Sequence, residues 1–244
     1  TGNYHTLELS DPNINWVSKT NKFLSSFKVD QNQITTQIEP HDGIAEIAQC
    51  IQRINNIIID LNQDAWTYIA NDIFKLKLKE GEIGSSTMPH KVNPIDFENS
   101  EGNLGISNSL MTFFADKLTK SRLQRDLSDS TVLRNLGVGF AYSYLGITSC
   151  LNGLSKIQPN KKNALMELSN NWQVLAEALQ IVMKLEGHDN AYEEIKTLTR
   201  GQSLNKNSYI KIVEDLDISN TSKEKLKKLT PLNYLGIASK LAKS

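Results

Sequence analysis

Residues 81–94 place hydroxyl, ammonium and amide side chains in one polar stretch between two apolar segments with helical spacing. The groups of chemical interest are Ser85, Ser86, Lys91 and Asn93. A serine removes a proton only where its alkoxide is stabilised, which a nearby ammonium group and backbone N–H groups can do. Long loops inside helical proteins are uncommon unless they have a function, so a proton-abstracting serine is the sharper interpretation. The alternative is a solvated helix connection with an incidental lysine.

A second polar stretch, residues 121–135, has the composition of an anion-binding site. Ser130 precedes a helix predicted to begin near Thr131. Arg125 lies before this helix, and Arg134 lies one turn inside it. A hydroxyl, helix N–H groups and two guanidinium groups could therefore converge on one phosphate. Two aspartates share the stretch, so ion pairs with these arginines at a helix start are the alternative interpretation.

Three long helices are predicted to position these two stretches. The apolar residues from Ile44 to Tyr68 recur in steps of three and four, which is typical of a bundle helix. Asn55 and Asn62 fall on its opposite, polar flank. A helix of about 27 residues is about 40 Å long. That is more than a domain of this size needs, so association with other subunits is expected.

Helical spacing returns from Phe97 to Leu118, with Glu98 in the first turn, where the helix dipole favours a carboxylate whatever its role. The next predicted helix, Thr131 to about Ile157, is apolar on nearly every side and must be buried. We expect neighbouring helices to approach it closely at three glycines, Gly137, Gly139 and Gly146. The alternative is a break in the helix near Gly137.

The run Gln158-Pro-Asn160 marks a predicted domain boundary. Residues 1–158 are then part of a central helical bundle, and residues 159–244 form a smaller helical C-terminal domain. In the latter, capping patterns predict helix starts at Asn190 and Thr221. Residues 1–37 predict one helix followed by a loop. Since no regular alternating runs occur, the predicted fold class is all-α.

The overall composition excludes several classes of partner. The 27 basic and 27 acidic residues cancel, which argues against non-specific binding to nucleic acid or to a membrane surface. No apolar run approaches the ~20 residues of a membrane span, and no signal-peptide pattern opens the sequence. Cys50 and Cys150 are far apart and match no metal spacing. Two reduced thiols in a cytoplasmic protein are therefore expected.

Three runs carry a resemblance to a known family. Residues 84–94, GSSTMPHKVNP, resemble the signature loop of the fumarase/aspartase superfamily, whose members eliminate fumarate from a succinyl-type substrate. The continuation through residues 95–103, IDFENSEGN, and the run of residues 125–135, RDLSDSTVLRN, resemble the adenylosuccinate lyase family in particular. The resemblance extends from Thr1 to the C-terminus and implies a long-helix bundle of the fumarase/aspartase type.

The resemblance implies a β-elimination from a small nucleotide substrate, with no metal or organic cofactor called for. We expect Ser85 to be the base, with Ser86 as the alternative, because spacing alone cannot rank adjacent hydroxyls. Lys91 and Asn93 would hold the substrate carboxylates, and Glu98 would orient the acid histidine. The further substrate contacts that the resemblance implies are Gln37, Ser86, Val92, Asn99 and Thr131, with Arg125, Ser130 and Arg134 on the nucleotide phosphate.

The N-terminal half of such an enzyme, which supplies the acid histidine, has no counterpart in these 244 residues. None of His5, His41, His90 and His188 matches that histidine, and His41 at a helix start is more typical of a packing or surface residue. We therefore expect little or no lyase activity from these residues alone. Enzymes of this family are homotetramers with sites shared between subunits, so a homo-oligomer is expected. The alternatives are a superfamily lyase for argininosuccinate or fumarate, or a helical assembly piece without catalysis.

Overall fold

The computed structural model describes residues 2–77, 93–199 and 204–243, and the chain divides into two compact units, Thr1–Gln158 and Pro159–Ser244. The helices of the first unit are α1 (His5–Ser10), α2 (Trp16–Ser25), α3 (Asp42–Ala70), α4 (Ile95–Leu118), α5 (Ser128–Leu133) and α6 (Leu136–Lys156). Those of the second are α7 (Lys161–Asn170), a 3-10 turn (Trp172–Leu175), α8 (Ala176–Leu185), α9 (Ala191–Thr199), α10 (Lys206–Asp215), α11 (Asn220–Lys227) and α12 (Ala238–Leu241). Two short strands, β1 (Phe74–Leu76) and β2 (Ile157–Pro159), pair into one small sheet.

Three long helices form the bundle of the first unit, with α4 packed against both α3 and α6. The side-chain pairs Gln52–Thr112 and Asn62–Ser100 show that α3 and α4 run antiparallel. Apolar side chains gather towards each end of the bundle. The cluster at one end is Ala48, Met111, Phe114, Leu118 and Val132. The cluster at the other end is Ala65, Phe97 and Cys150.

Glycines on α6 allow α4 to approach closely. A Cβ atom added at Gly146 would lie 2.5 Å from Leu104 Cγ, and one added at Gly139 would lie 2.8 Å from Phe114 Cε2. The prediction of close approach is therefore confirmed at these two positions. It is wrong at Gly137, where an added Cβ would meet no neighbouring atom of the described residues within 4 Å. Gly153, which no sequence pattern indicates, packs on the Phe97 ring.

Polar side chains occupy the middle of the bundle. Asn55 is fully buried; its Nδ2 donates to Ser107 Oγ at 3.2 Å and to Asn108 Oδ1 at 3.0 Å. Its Oδ1 accepts a hydrogen bond from Ser143 Oγ at 2.7 Å, so one amide connects α3, α4 and α6. Because a buried amide is costly without these partners, the network fixes the register of the three helices.

The predicted polar flank of α3 is wrong. Asn55 and Asn62, which we expected on a polar flank, are buried against α4. The isoleucine stripe remains partly exposed, with Ile47 at 54% and Ile54 at 46%. Small and amide residues let α4 approach α3 closely. Within the stripe, Ile44, Ile51 and Ile58 pack against the two apolar clusters, whereas Ile47, Ile54 and Leu61 are exposed. An apolar stripe of this length on the surface is typical of a face that another chain covers.

The second unit has its own hydrophobic core, built around the fully buried residues Leu175, Leu179, Met183, Tyr209 and Val213. The Tyr209 hydroxyl donates to the Leu226 carbonyl oxygen at 3.0 Å, and burial raises the pKa of Tyr209 to about 12. Glu186 holds the residue before α11, since its carboxylate accepts hydrogen bonds from the Ser219 hydroxyl and the Ser219 N–H, each at 2.6 Å.

Several predicted boundaries differ from the structure. Residues 1–37 hold two short helices rather than one. Helix α9 begins directly after Asn190, as predicted, but α11 begins at Asn220 with Ser219 as its cap, not with Thr221. Cys50 is exposed and Cys150 is buried, and both thiols are free. None of the described helices has the length and apolar character needed to cross a membrane.

Candidate active site

Ser85, Ser86, Lys91 and Val92, together with His90, lie outside the described residues. The structure describes the chain on either side of these residues, up to Lys77 and from Asn93. On one side, the Lys77 N–H donates to the Lys156 carbonyl oxygen at 2.8 Å. On the other side, Asp96 Oδ2 lies 2.7 Å from Lys156 Nζ. The chain before residues 78–92 and the chain after them therefore both contact the C-terminal end of α6.

Asn93, Glu98 and Asn99 lie together at the start of α4. Pro94 is the N-cap residue, and the Asn93 carbonyl accepts a hydrogen bond from the Ile95 N–H at 2.9 Å. Glu98 and Asn99 are exposed in this chain, next to the buried Phe97. Their side chains therefore point away from the interior and are available to a ligand or to another chain.

Trp66 holds the Glu98 carboxylate in place. The indole Nε1 donates to Glu98 Oε1 at 3.0 Å from the last turns of α3. The other carboxylate oxygen has no hydrogen-bond partner among the described residues, so it is free to accept from another group. No sequence pattern points to Trp66, because its pairing with Glu98 depends on the antiparallel packing of α3 and α4.

Gln37 lies at the other end of the bundle, in the wall of an open cavity of about 800 Å³. Its backbone N–H donates to the Gln124 carbonyl oxygen at 3.3 Å, which joins the loop before α3 to the loop before α5. Tyr4, His5 and Thr36 also line this cavity. The exposed Gln37 side chain could therefore contact a ligand in it.

Arg125 and Ser130 meet at Asp129. The Arg125 Nε lies 3.8 Å from Asp129 Oδ2, and the Ser130 N–H donates to Asp129 Oδ1 at 2.6 Å. The Ser130 hydroxyl donates to the Leu127 carbonyl oxygen at 2.8 Å. The ion pair that was the alternative interpretation is therefore present, between Arg125 and Asp129. The Asp129 carboxylate contacts both Arg125 and Ser130, two of the residues expected to bind the phosphate.

The predicted helix start in this stretch is wrong. Ser130 does not precede the helix, because α5 already begins at Ser128 and ends at Leu133. The helical structure is then interrupted at Arg134 and Asn135, and α6 begins at Leu136. The Ser130 N–H is used by Asp129, so helix N–H groups do not form the expected anion site. Ser130 and Arg134 are instead neighbours four residues apart on helical backbone, which puts their side chains on one face.

Thr131 and Arg134 are exposed on α5 and at its C-terminal cap. The Thr131 carbonyl accepts a hydrogen bond from Asn135 Nδ2 at 2.9 Å, which closes the short helix. Among the described residues, no carboxylate pairs with the Arg134 guanidinium. Arg134 therefore remains available to an anion.

The second carboxylate of this stretch, Asp126, faces a different set of cations. Its Oδ2 lies 3.4 Å from Arg122 Nε and 3.8 Å from Lys117 Nζ. A hydrogen bond from the Ser128 N–H, together with these two charges, holds the pKa of Asp126 below its usual range. Asp126 thus anchors the loop to the end of α4, apart from the Arg125 and Ser130 pair.

Residues 121–235 match the family model described as adenylosuccinate lyase C-terminal, and residues 1–106 match the model described as lyase. The adenylosuccinate lyase of Legionella pneumophila (strain Corby) is 52% identical over 243 residues, which is 100% of this chain and 53% of that protein. The adenylosuccinate lyase of Escherichia coli (strain K12) is 49% identical over 237 residues, 97% of this chain and 52% of that protein. The chain belongs to the adenylosuccinate lyase family. It spans about half the length of these curated relatives.

The fold agrees with this membership. The crystal structure of a recombinant class II fumarase from Schistosoma mansoni aligns with a TM-score of 0.60 and 14% identity, over 90% of this chain and 47% of that one. At this identity the likeness concerns the fold alone. The prediction of an all-α fold of the fumarase/aspartase type is confirmed, and so is the resemblance to the adenylosuccinate lyase family.

Within this member of the adenylosuccinate lyase family, the candidate residues form two groups at opposite ends of the bundle. Glu98 lies in the first turn of α4, and Lys117, whose ammonium faces Asp126, lies in its last turn. These two residues are 19 positions apart in one helix, which corresponds to about 28 Å. The group of Asn93, Glu98 and Asn99 therefore lies a bundle length away from the group of Gln37, Arg125, Ser130, Thr131 and Arg134.

Proposed function

We propose that the protein to which this chain belongs is an adenylosuccinate lyase. It eliminates fumarate from adenylosuccinate to give AMP, and from succinyl-aminoimidazole-carboxamide ribotide to give AICAR. In both reactions a base removes the proton from the carbon next to a carboxylate. The bond from the adjacent carbon to the leaving nitrogen then breaks, and that nitrogen takes up a proton; it is the purine amine in adenylosuccinate and the carboxamide nitrogen in the second substrate. The electron pair of the C–H bond becomes the double bond of fumarate, so no oxidant is required.

The observation that carries this proposal is the identity of about half of all positions, over essentially the whole chain, to two proteins with this one activity in their names. The local geometry supports it as well. Arg125, Ser130 and Arg134 gather two guanidinium groups and a hydroxyl around one short helix, which suits a phosphate monoester. Lyases for argininosuccinate or fumarate have no phosphate to hold, so this group favours the nucleotide substrate.

In this proposal the chemistry belongs to residues 81–94 and to the start of α4. Ser85 is the base, with Ser86 as the alternative, Lys91 and Asn93 hold the succinyl carboxylates, and Val92 is a further substrate contact. An ammonium group and amides around the developing dianion stabilise it more in the transition state than in the ground state. Glu98, held by Trp66 on one oxygen, orients the acid histidine with its other oxygen, and Asn99 contacts the substrate.

The nucleotide part of the substrate lies in the second group. Gln37 contacts it from the cavity wall. Arg125, Ser130 and Arg134 bind the phosphate, and Thr131 is a further substrate contact. No metal or organic cofactor takes part in this scheme. The two free thiols support a reducing, cytoplasmic location. Residues 1–158 act as part of the central bundle, and residues 159–244 as a helical C-terminal domain.

We further propose that the working enzyme is a homotetramer with sites shared between subunits. Two observations support a second copy as the partner. The two groups of candidate residues are about 28 Å apart along α4, too far for one substrate to reach both within one chain. The exposed isoleucine stripe of α3 offers an apolar face on which another long helix could pack.

The test is fumarate release by the 244-residue chain, alone and mixed with the N-terminal half of the Legionella pneumophila relative. We expect little or no turnover by the chain alone and adenylosuccinate cleavage in the mixture. Succinyladenosine, which lacks the phosphate, should be cleaved with a KM at least about tenfold higher than that of adenylosuccinate. Robust turnover by the chain alone would overturn the assignment of the acid to a residue outside it. Turnover of argininosuccinate or malate in preference to adenylosuccinate would overturn the assignment of adenylosuccinate as the substrate.

A further inference from the structure

His41 has a backbone conformation that its residue type resists. It is the N-cap residue of α3 with φ 59 and ψ 17, in the left-handed region that non-glycine residues rarely adopt. Its N–H donates to Glu39 Oε2 at 2.9 Å, and its ring Nδ1 contacts Glu39 Oε1. The residue is buried. A strained backbone is kept only where the surroundings over-determine it, so the position of this ring is strongly specified.

The other ring nitrogen of His41 faces Asp129. His41 Nε2 lies 3.8 Å from Asp129 Oδ2, and both atoms are buried without a hydrogen-bond partner among the described residues. The same Asp129 oxygen lies 3.8 Å from Arg125 Nε. The carboxylate is thus enclosed between an imidazole and a guanidinium group, while its second oxygen accepts the Ser130 N–H. An ionised carboxylate is costly to bury unless such groups compensate it.

We propose that Asp129, backed by His41, is a positioning residue for the phosphate-binding group, setting the Arg125 guanidinium and the Ser130 backbone for the substrate phosphate. The proposal rests on the proposed function, because it takes Arg125 and Ser130 as phosphate ligands. Asp129 itself does not contact the substrate. It acts through the two residues that it holds.

A carboxylate beside a phosphate site has two opposing effects, and they predict opposite outcomes. As a negative charge it repels the phosphate and neutralises part of the Arg125 charge, so its removal would strengthen binding. As a fixed partner it immobilises a long side chain before the ligand arrives, which lowers the entropy cost of binding. The buried position of Asp129 and its short bond to the Ser130 N–H favour the second effect.

His41 extends this arrangement to the second loop. Gln37 is four residues before His41, and its N–H is bonded to the Gln124 carbonyl, next to Arg125. The segment before α3 is therefore joined twice to the region of α5, by this backbone bond to the loop before α5 and by the contact of His41 with Asp129 in its first turn. Loss of the ring should loosen Asp129 while leaving the charge of Asp129 in place.

The experiment measures AMP binding by calorimetry with the 244-residue chain reconstituted with the N-terminal half of the Legionella pneumophila relative. Asp129→Asn keeps an oxygen for the Ser130 N–H but removes the charge that faces Arg125. We expect its Kd for AMP to rise about tenfold, and the KM for adenylosuccinate to rise by a similar factor with kcat changed much less. Binding of adenosine, which has no phosphate, should be unchanged.

Asp126→Asn is the matched control. It makes the same chemical change at a similarly buried carboxylate three residues earlier, which faces Arg122 and Lys117 instead. Its AMP affinity should stay within about twofold. His41→Asn is the second variant, since asparagine tolerates the left-handed backbone but cannot reach Asp129. It should weaken AMP binding in the same direction as Asp129→Asn, even if the latter fails to fold.

Equal or tighter AMP binding by Asp129→Asn would overturn the proposal, because charge repulsion would then be the main effect. An equal loss for AMP and adenosine would overturn it too, since that pattern indicates a general structural role. If the unsubstituted protein binds inorganic phosphate but releases no fumarate, the lyase proposal fails and the phosphate affinities of the variants still decide the positioning role. If it binds neither AMP nor phosphate, both proposals fail.

Discussion

Lys156 and Asp96 form a partly buried ion pair, with Nζ and Oδ2 2.7 Å apart and the lysine side chain only 12% exposed. The pair joins the last residue of α6 to the first turn of α4. The carbonyl oxygen of the same lysine accepts the Lys77 N–H. One residue therefore fixes the chain on both sides of residues 78–92, the segment that contains Ser85 and Ser86.

Replacing Lys156 by methionine should reduce both stability and turnover. The change leaves Asp96 without its cation, which for a partly buried pair costs about 1–2 kcal/mol. It also frees the start of α4 relative to α6, so kcat of the reconstituted enzyme should fall more than the affinity for AMP. Urea unfolding and steady-state kinetics on the same preparation measure the two effects.

Lys120→Met is the control for this variant. Lys120 pairs with Asp116 in the same unit, but both side chains are about two-thirds exposed, so water already screens the pair. Its loss should change the free energy of unfolding by less than about 0.5 kcal/mol. Equal effects of the two lysine substitutions would contradict a special role for Lys156.

Gly146→Ala should destabilise the bundle by about 1–3 kcal/mol, because the added methyl group would lie 2.5 Å from Leu104 Cγ and 3.1 Å from the Ser100 carbonyl oxygen. Gly137→Ala, in the same helix, meets open space and should be neutral or stabilising by up to about 1 kcal/mol. Urea denaturation of the two variants gives the comparison. If Gly146→Ala were as stable as Gly137→Ala, α4 and α6 would not be in close contact at this point.

The case of α3 indicates how far a sequence can define a bundle. Steps of three and four predicted the helix itself, which the structure extends from Asp42 to Ala70. They could not identify which face the same chain covers. The side next to α4 carries Ala48, Asn55 and Asn62, because short side chains and satisfied amides permit close packing. Some isoleucines of α3, such as Ile44 and Ile58, pack on this chain's own clusters, whereas others, such as Ile54, are exposed. Periodicity alone cannot separate these two environments.

In the candidate site, too, a sequence pattern can group residues that are close in sequence but cannot predict contacts between distant ones. Arg125, Ser130 and Arg134 are close in sequence, so a local pattern sufficed to group them. The contacts of His41 with Asp129 and of Trp66 with Glu98 join residues 88 and 32 positions apart, and no local pattern specifies such pairs. The signal that could have pointed to His41 is its place beside Glu39 and Pro40 at a helix start, but that pattern does not name its partner.

Glu186 should make the stability of the second unit sensitive to acid. Hydrogen bonds from the Ser219 hydroxyl, from Ser222 and from the Ser219 N–H lower the pKa of this carboxyl from 4.5 to about 2. A carboxyl whose pKa is lower in the folded state stabilises the fold above its unfolded pKa and loses this effect as pH falls through the folded value. The stabilisation should therefore be complete above about pH 5 and disappear between about pH 4.5 and 2.

The comparison of Glu186→Gln with the unsubstituted chain tests this pH dependence. Glutamine cannot ionise, so the difference in melting temperature between the two proteins should be largest near neutral pH and should shrink steadily below about pH 4.5. Glu167, an exposed carboxylate of the same unit, provides the control as Glu167→Gln. If the difference in melting temperature between Glu186→Gln and the unsubstituted chain stayed constant down to pH 2, the cause would be altered hydrogen bonding or packing of the side chain and not the loss of its charge.

Ile54→Glu should dissociate the protein without unfolding the chain. Ile54 is 46% exposed on α3 within the stripe that also carries Ile47 and Leu61, so a carboxylate there remains hydrated in an isolated chain. Packing of another copy on this stripe would bury that charge, at a cost of several kcal/mol for each copy. Gln49→Glu introduces the same residue on the polar side of the same helix and should leave association unchanged.

Sedimentation velocity should therefore give a lower mass for Ile54→Glu alone, with an unaltered helical circular dichroism signal for both variants. A mass equal to that of the unsubstituted protein would mean that the isoleucine stripe is not the face through which the copies associate, and the exposed apolar residues of α4 and α6 would then have to supply it.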